Sequence, residues 1–361
     1  MKLAAAQFHP IWMRLREPLR TSHGHLTARE AFVLKLSASP GLFGMGEAAP
    51  AYWVGGESIA ATRASLESIV ALVARGCDIT SLREAVFARL DKCSITPSAA
   101  CAFDTALLDL EARSRNLPVA KLLGADSPRP VWVCALLRSR TPEQLFRESR
   151  IAADRGYTTF KLKVGGDAIE NDAANLAAVR NAVGDDPRIR LDANRAWNLD
   201  DAAAALARFS THAIEFIEEP LRDPTPTALA KLRAESGVPL ALDESIATAK
   251  QLGEFLDPRC ADFIVFKAAR VGGASRCVEL ARTASVSGLT PVITDSLESA
   301  IGMSLAVHLA AAVSAGVAAG LAGARFLSDA GDIPAHFREP VELEPCGPGL
   351  DVALPAESST R

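Results

Sequence analysis

Charged residues end several short apolar runs in the second half of the chain, and such residues can support metal-assisted proton transfer. An isolated charge in an apolar strand is costly unless it finds an opposite charge or a metal ion. Charges at the ends of consecutive runs therefore imply that these side chains meet in one site. The residues concerned are Lys161 and Lys163, Asp192 and Asn194, Glu218 and Glu219, Asp243 and Glu244, and Lys267.

The acidic members of this set suit a magnesium ion. Asp192, Glu218 and Asp243 come from three successive runs, and no His or Cys accompanies them. Carboxylate oxygens are the ligands that Mg²⁺ prefers, and Mn²⁺ accepts the same donors. We therefore expect these three residues to bind Mg²⁺ as the cofactor, with Mn²⁺ as a substitute.

The lysines beside these acids suit proton abstraction. Lys161 and Lys163 are two residues apart, so they face one side of a strand. Neighbouring ammonium groups and a metal ion lower a lysine pKa, and a neutral lysine can then remove a proton α to a carboxylate. The metal stabilises the enediolate that results. The alternative, in which each charge is an unrelated helix cap or surface ion pair, is disfavoured because five successive strand ends carry charges.

The elements that carry these residues alternate between strand-like and helix-like runs from Val131 onward. Short runs rich in Val, Ile, Phe and Leu are separated by Ala-rich helical patterns. So many consecutive βα units favour a closed parallel barrel over a doubly wound sheet, which would carry a glycine-rich phosphate-binding turn. A weak eighth strand is expected at 318–321. The seven predicted strands are residues 131–137, 158–164, 188–194, 214–220, 238–244, 262–268 and 289–295.

Residues 1–125 have a different pattern and predict a separate α+β domain. AFVLKLSA (31–38) and GLFGMGEAAP (41–50) are typical of a β-hairpin, and three helical patterns follow them. A proline-rich stretch then marks a boundary, so we predict that the barrel covers residues 126–325. The remaining tail, 326–361, is rich in proline and cannot add another βα unit.

Composition and charge exclude several classes of partner. The chain has 361 residues, a formal net charge of −4 and a pI near 5.9, so it offers no basic field for nucleic acid or an anionic membrane. We find no secretory signal and no uninterrupted apolar run of about 18 residues. The seven cysteines contain no CxxC pair, as expected for reduced thiols. We therefore expect a cytoplasmic monomer or homo-oligomer that binds a small carboxylate substrate.

Together these motifs resemble the muconate-lactonizing subgroup of the enolase superfamily. The resemblance rests on KLK (161–163), the Asp192–Asn194 motif, EEP (218–220), DES (243–245) and Lys267 before a Gly-Gly pair, and it covers nearly the whole chain. It implies an α/β fold with a modified (β/α)8-type barrel, (β/α)7β. It also implies an N-terminal α+β capping domain to which the C-terminal tail returns.

The same resemblance implies a role for each site residue. Asp192, Glu218 and Asp243 would bind Mg²⁺, while Lys163 and Lys267 would stand on opposite faces of the substrate and act in catalysis. The supporting residues would be Lys161, which touches the substrate carboxylate or tunes Lys163, and Asn194, Glu219 and Glu244, which lie behind the metal ligands.

The subgroup hosts several reactions, among which the motifs favour o-succinylbenzoate synthase. RLDANRAW (190–197) is similar to these synthases, whose arginine at the position of Arg190 lies near the succinyl carboxylate. Ser296 and Glu298, in TPVITDSLESAIG, are expected to line the substrate pocket. The expected reaction is a dehydration in menaquinone biosynthesis. The alternative for Arg190 is an ion pair low in the barrel, and for Glu298 an acid in the first turn of a helix.

One feature is closer to the racemases of the subgroup, and another counts against a dipeptide epimerase. FKAARVGG (266–273) lacks the proline that often follows the lysine of the synthases and is more similar to racemases. GLAGARF (320–326) lacks the Asp-x-Asp pair with which dipeptide epimerases bind a substrate ammonium group. The alternatives to the synthase are an N-acylamino-acid racemase or a dipeptide epimerase, and a muconate-type cycloisomerase is less favoured. A barrel that only binds a ligand is disfavoured because both lysines and all three acids are present.

Overall fold

The computed structural model describes residues 2–352 except 22–23, 40, 55, 127–128, 257–258, 315, 328–336 and 338–340. This part of the chain contains an antiparallel sheet with its helices, followed by a parallel sheet with alternating helices. Among these residues, every helix is too short or too polar to cross a membrane.

The N-terminal unit is a three-stranded antiparallel sheet covered by helices. Its second and third strands form the predicted hairpin. Its first strand was not predicted, although Ile11, Met13 and Leu15 are buried and alternate with exposed residues, as in a half-buried strand. The elements are β1 (Ala5–Thr21), β2 (Gly24–Ser39), β3 (Leu42–Ala48), α1 (Ile59–Val73), α2 (Ile79–Asp91), α3 (Pro97–Ser114) and α4 (Val119–Leu122).

Two glycines of β3 let the sheet lie close to α3. A Cβ on Gly46 would stand 1.9 Å from the carbonyl oxygen of Ala102, and one on Gly44 would stand 2.1 Å from that of Ala106. Backbone therefore meets backbone here, and only glycine fits. The GMGE motif thus fixes the sheet on the helix, which sets the position of the next residue, Glu47.

The run 131–137, predicted as one strand, is two strands in the structure. Its first part, β4 (Val131–Trp132), pairs antiparallel with a strand from the tail, β12 (Glu342–Leu343). Only the second part, β5 (Ala135–Leu136), is a strand of the parallel barrel sheet. The side chains explain the division, because Val131 and Leu343 are buried together while Trp132 is exposed.

Seven parallel strands form the barrel sheet and lie side by side in chain order. Helices follow each strand, as the alternating sequence pattern predicts. The strands after β5 are β6 (Thr159–Lys163), β7 (Arg188–Asp192), β8 (Ile214–Glu218), β9 (Leu240–Leu242), β10 (Phe263–Phe266) and β11 (Thr290–Ile293). The helices are α5 (Pro142–Asp154), α6 (Ile169–Val183), α7 (Leu199–Phe209), α8 (Pro226–Ser236), α9 (Ala249–Leu256), α10 (Ala268–Val271), α11 (Ala274–Val286) and α12 (Ala300–Val313).

A short eighth segment closes the barrel between its two edge strands. The backbone N–H of Gly320 donates to the carbonyl of Ile293 in β11 (2.9 Å). The adjacent residue, Ala319, donates to the carbonyl of Trp132 and accepts from the N–H of Cys134, both at 2.8 Å. These bonds join β11 to the start of β5, which confirms the (β/α)7β barrel behind an N-terminal α+β domain.

The described part of the tail also contacts the N-terminal unit. The N–H of Leu350 donates to Asp109 of α3 at 2.8 Å, and the carbonyl of Gly349 accepts from Val119 of α4 at 3.2 Å. The domain bounds given above stay a prediction.

Apolar side chains fill the lower interior of the barrel and thereby place the polar ones above them. Phe216, Ala241, Val265 and Val292, on four neighbouring strands, form one buried cluster. Side chains two residues further along a strand point the same way, one layer closer to the carboxyl ends. The residues that follow in this way are Glu218, Asp243, Lys267 and Thr294.

Candidate active site

A buried ion-pair network joins the ends of β6, β7 and β8. Lys161 Nζ lies 2.7 Å from Glu218 Oε2 and 2.9 Å from Asp192 Oδ2. Burial alone would lower the pKa of Lys161, but the charges of Asp192 and Glu218 outweigh it and raise the pKa above its usual value. The two carboxylates thus hold the Lys161 ammonium at the floor of the site.

A second network lies across the site, around Asp243. Its Oδ2 accepts a hydrogen bond from Lys267 and its Oδ1 lies 2.7 Å from Arg270 Nη1. Burial by itself would raise the pKa of Asp243, but the two cations hold it below its usual range. Arg270 was not predicted as a site residue; it lies three residues after Lys267 on the short helix α10.

The two predicted catalytic lysines stand on opposite walls of the barrel. Lys163 ends β6 and Lys267 follows β10, and these strands are four positions apart in a barrel of eight. Lys163 is 61% exposed, donates to the side-chain oxygen of Asn194 and lies 3.8 Å from Asp192 Oδ2. A substrate above the carboxylates would therefore have one amine on each side.

The carboxylate of Glu219 ties the ends of β8 and β9 together. Its Oε1 accepts the N–H groups of Asp243 and Ser245, both at 2.8 Å. Its Oε2 accepts from the hydroxyl of Ser245 at 2.9 Å and from Arg195 Nε at 3.1 Å. Arg195 and Ser245 were not predicted as site residues. Glu219 thus holds the backbone of Asp243 in place, while its role behind a metal ligand stays a prediction.

Left-handed backbone at these strand ends turns the polar side chains towards one another. Asn194 has φ of 41°, Arg195 62° and Glu219 43°, all in the region that L-residues rarely adopt. Asn194 Nδ2 donates to Glu244 Oε1 at 2.9 Å, which links the ends of β7 and β9. Strain of this kind is retained where the surrounding structure holds a functional geometry.

The predicted metal ligands are neighbours, but cations occupy most of their oxygens. Asp192 pairs with Glu218 in the β7–β8 register, and Asp243 follows β9 on the next strand. In the described part of the chain, no three His, Cys, Asp or Glu side chains converge on one metal position. These carboxylates instead bind Lys161, Lys267 and Arg270. Their role as metal ligands stays a prediction.

Glu218 nevertheless has a free oxygen that suits a cation. Its Oε1 is buried and has no hydrogen-bond partner among the described residues. Burial raises the pKa of Glu218 to about 8, and the nearby Asp192 and Asp243 act in the same direction. A hard, oxygen-only donor set with an unsatisfied buried oxygen fits Mg²⁺. Asp192, Glu218 and Asp243 are thus the residues that would hold it.

Arg190 does not lie in the substrate pocket, which corrects its predicted role. It is 2% exposed, its Nε lies 2.6 Å from Glu215 Oε2, and its Nη1 donates to the carbonyl of Ala318 at 2.7 Å. Its guanidinium also stacks on Phe216 in the lower barrel. The ion-pair alternative therefore describes Arg190, because the side chain lies one layer below Asp192.

We expect Arg190→Ala to affect stability and not substrate affinity. The variant leaves Glu215, whose side chain is only 9% exposed, without its closest partner. This loss should cost about 3 kcal/mol in the free energy of unfolding, measured by urea denaturation. Arg188→Ala is the matched control, since this exposed arginine binds the same carboxylate at 2.8 Å and should contribute at most about 1 kcal/mol. A large rise in KM at unchanged stability would return Arg190 to the pocket.

Glu298 lies where β11 meets the N-terminal domain. It is 7% exposed and accepts the N–H of Ser296. Burial raises the pKa of Glu298 to about 8, and Asp295 and Glu47 add to this effect. Glu47 crosses from β3 and accepts the N–H of Ser299, at 3.0 Å, at the start of α12. Glu47 and Asp295, neither of them predicted, thus belong to this end of the site, while pocket contacts of Ser296 and Glu298 stay a prediction.

Comparison with known proteins agrees with this architecture. The description "Enolase C-terminal domain-like" matches residues 144–357, and "Mandelate racemase / muconate lactonizing enzyme, N-terminal domain" matches residues 3–124. The chain belongs to this enolase-superfamily group of enzymes. Its relatives include racemases, epimerases and cycloisomerases.

Three relatives illustrate the range of activities among the similar proteins. The chain is 27% identical to an N-succinyl-L-Arg/Lys racemase of Bacillus cereus, over 98% of this chain and 96% of the relative. It is 27% identical to a chloromuconate cycloisomerase of Pseudomonas putida, over 85% of this chain and 83% of the relative. The crystal structure of a dipeptide epimerase from Enterococcus faecalis, complexed with Mg and L-Leu-L-Tyr, superposes with a TM-score of 0.88. It has 27% identity and covers 98% of this chain and 100% of its own.

Proposed function

We propose that this protein is a Mg²⁺-dependent racemase or epimerase that exchanges the proton on the carbon next to a carboxylate in an N-acylated amino acid, a class that includes dipeptides. The observation that carries the proposal is the pair of amines, Lys163 and Lys267, on opposite walls of the barrel. Inversion at one carbon needs a base on each face of it, whereas a dehydration needs only one.

The residues around the carboxylates have different roles in the proposed reaction. Lys163 takes or returns a proton on one face of the α-carbon, and Lys267 does so on the other. Lys161, held as a cation by Asp192 and Glu218, attracts the substrate carboxylate and orients it between the two amines. When bound by Asp192, Glu218 and Asp243, Mg²⁺ supplies additional positive charge that stabilises the enediolate.

Two observations put this function before the o-succinylbenzoate synthase that the motifs favoured. Arg190, which carried the succinyl-carboxylate interpretation, is paired with Glu215 in the lower barrel. Arg270, in the RVGG motif that is closer to racemases, binds the predicted metal ligand Asp243. The relatives reported above, which include an N-succinyl-L-Arg/Lys racemase and a dipeptide epimerase, support the same choice.

The proposal is tested by supplying N-succinyl-L-amino acids and L,L-dipeptides to the purified protein with Mg²⁺ in D₂O. We expect deuterium to enter at the α-carbon, followed by NMR, together with formation of the other stereoisomer, followed by polarimetry. The succinylated cyclohexadiene carboxylate that yields o-succinylbenzoate is the competing substrate. If its dehydration showed the highest kcat/KM, the synthase would replace our proposal.

A further inference from the structure

The N-terminal domain binds the segment of the barrel that follows Lys267. Asp104 of α3 is 0% exposed, and its Oδ2 accepts the N–H of Ser275, in the first turn of α11, at 2.8 Å. Its Oδ1 accepts the hydroxyl of the same serine, also at 2.8 Å. Both oxygens of a fully buried carboxylate thus bind the start of a barrel helix, where the positive end of the helix dipole favours an anion.

Two glycines before Ser275 allow this close contact between the domains. A Cβ on Gly273, whose φ is 139°, would stand 2.8 Å from Asp104 Oδ2. One on Gly272, whose φ is 92°, would stand 2.3 Å from Cδ2 of Leu90 in α2. Both φ values lie in the region that favours glycine. The Gly-Gly pair of the RVGG motif therefore packs against two helices of the N-terminal domain.

One turn of helix, α10, connects these glycines to the end of β10. The N–H of Arg270 donates to the carbonyl of Lys267, and the N–H of Gly273 donates to that of Ala268, both at 3.0 Å. Because the segment is hydrogen-bonded along its length, a shift at its glycine end also moves the backbone at Lys267 and Arg270. Those two side chains are the cations that bind Asp243.

Lys163, on the opposite wall, is held by the barrel itself. Within the described part of the chain, its side chain contacts Asn194 and Asp192 at the end of β7. The loop that follows it is fixed by α6, where Asp172 accepts the N–H of Gly165 at 2.7 Å. The two walls therefore differ, since the N-terminal domain binds the segment of one lysine and barrel elements bind that of the other.

We infer that Asp104 is a positioning residue through which the N-terminal domain fixes the Lys267 amine on its wall of the barrel. The inference deepens the proposed function and rests on it, because it concerns one of the two bases. Asp104 acts through the backbone of α10, and a misplacement of about 1 Å in a reacting group can cost about 100-fold in rate. Loss of Asp104 should therefore impair the reaction on one face of the α-carbon.

The test is α-proton exchange by Asp104→Ala in D₂O, followed by NMR. The probe is the N-succinylamino acid or dipeptide that wild type exchanges fastest, supplied as its two separate stereoisomers at the α-carbon. Exchange of the stereoisomer whose α-proton faces Lys267 should fall by about 100-fold, through kcat and not KM, and that of the other by less than about threefold. Lys163→Ala and Lys267→Ala show which stereoisomer faces which lysine.

Asp109→Ala is the matched control, because Asp109 lies on the same helix, is also 0% exposed and accepts the N–H groups of Met45 in β3 and Leu350 in the tail. It should lower stability and affect both faces alike. Asp104→Asn should restore most of the lost rate, since the amide can accept the N–H of Ser275 and donate to its hydroxyl. If Asp104→Ala fails to fold, Ser275→Ala, which removes one of the two hydrogen bonds, should lose about tenfold on the same face.

A second measurement needs no substrate. Competitive acetylation with acetic anhydride, followed by mass spectrometry, reports the reactivity of the Lys267 amine, with Lys163 as the internal reference. The Lys267 side chain is 19% exposed and bound to Asp243. We expect Asp104→Ala to loosen this pair and raise the reactivity of Lys267 by about tenfold, whereas Asp109→Ala should leave it unchanged.

Equal losses on the two faces in Asp104→Ala, or a Lys267 reactivity that stays at the wild-type level, would overturn the inference and leave the proposed function intact. If wild type exchanges none of the compounds, the proposed function fails, and the acetylation result alone decides whether Asp104 positions Lys267.

Discussion

Lys163→Ala and Lys267→Ala should each lose racemisation by about 10³-fold and yet exchange the α-proton of one enantiomer in D₂O. Each variant keeps the amine on the other wall, and that amine reaches only the enantiomer whose α-proton faces it. The two variants should therefore show opposite preferences. Deuterium incorporation into the separate L and D forms, followed by NMR, measures both effects.

The control for the lysine variants is Lys231→Ala. This lysine is exposed on α8, and its one salt bridge within the described part of the chain is to Glu235, one turn away. Its loss should leave both exchange reactions unchanged. One other outcome would favour the o-succinylbenzoate synthase reaction instead. If Lys163→Ala exchanged neither enantiomer while Lys267→Ala exchanged both more slowly, Lys267 would be a stabilising cation and Lys163 the single base.

The barrel and its charged strand ends could be predicted because strand alternation and element order are local properties of sequence. Asp192, Glu218, Asp243 and Lys267 end or follow successive strands, and the parallel order brings such ends to one edge. That these side chains lie close together could therefore be predicted without knowing which atoms are in contact.

Arg190 shows that strand alternation does not predict how deep in the barrel a side chain lies. It shares a face with Asp192, but two residues of a parallel strand span about 6.6 Å, which is one full layer of the barrel interior. Alternation gives the direction of a side chain and not its depth. The Glu215 that pairs with Arg190 is on the next strand, and no spacing within one strand reveals that contact.

Residues that act across elements were missed for a similar reason. Glu47 reaches α12 from the N-terminal sheet, 252 positions before the serine that it binds. Arg270 lies on a short helix, and its role depends on Asp243 of another strand. Asp295 accepts the backbone N–H of Gly323, and a side chain at position 323 would collide with its carboxylate. Each of these contacts is a property of the packed domains and leaves no local pattern.

Glu218→Gln should abolish turnover and weaken Mg²⁺ binding by about 100-fold or more, because a neutral amide replaces a buried anionic ligand. Binding is measured by calorimetric titration of the purified protein with Mg²⁺, which is independent of activity. EDTA-treated wild type should likewise be inactive, and either Mg²⁺ or Mn²⁺ should restore it.

Glu235→Gln is the matched control for this metal prediction, because it changes an exposed glutamate on α8 and should alter neither binding nor turnover. Two readouts separate the roles of Glu218, whose Oε2 binds Lys161 while its Oε1 is unsatisfied. Loss of activity with unchanged Mg²⁺ affinity would mean that Glu218 acts only by holding Lys161. Full activity of the Glu218→Gln variant, or of wild type in EDTA, would contradict the metal assignment. In that case the groups that stabilise the enediolate would be the cations Lys161, Lys267 and Arg270.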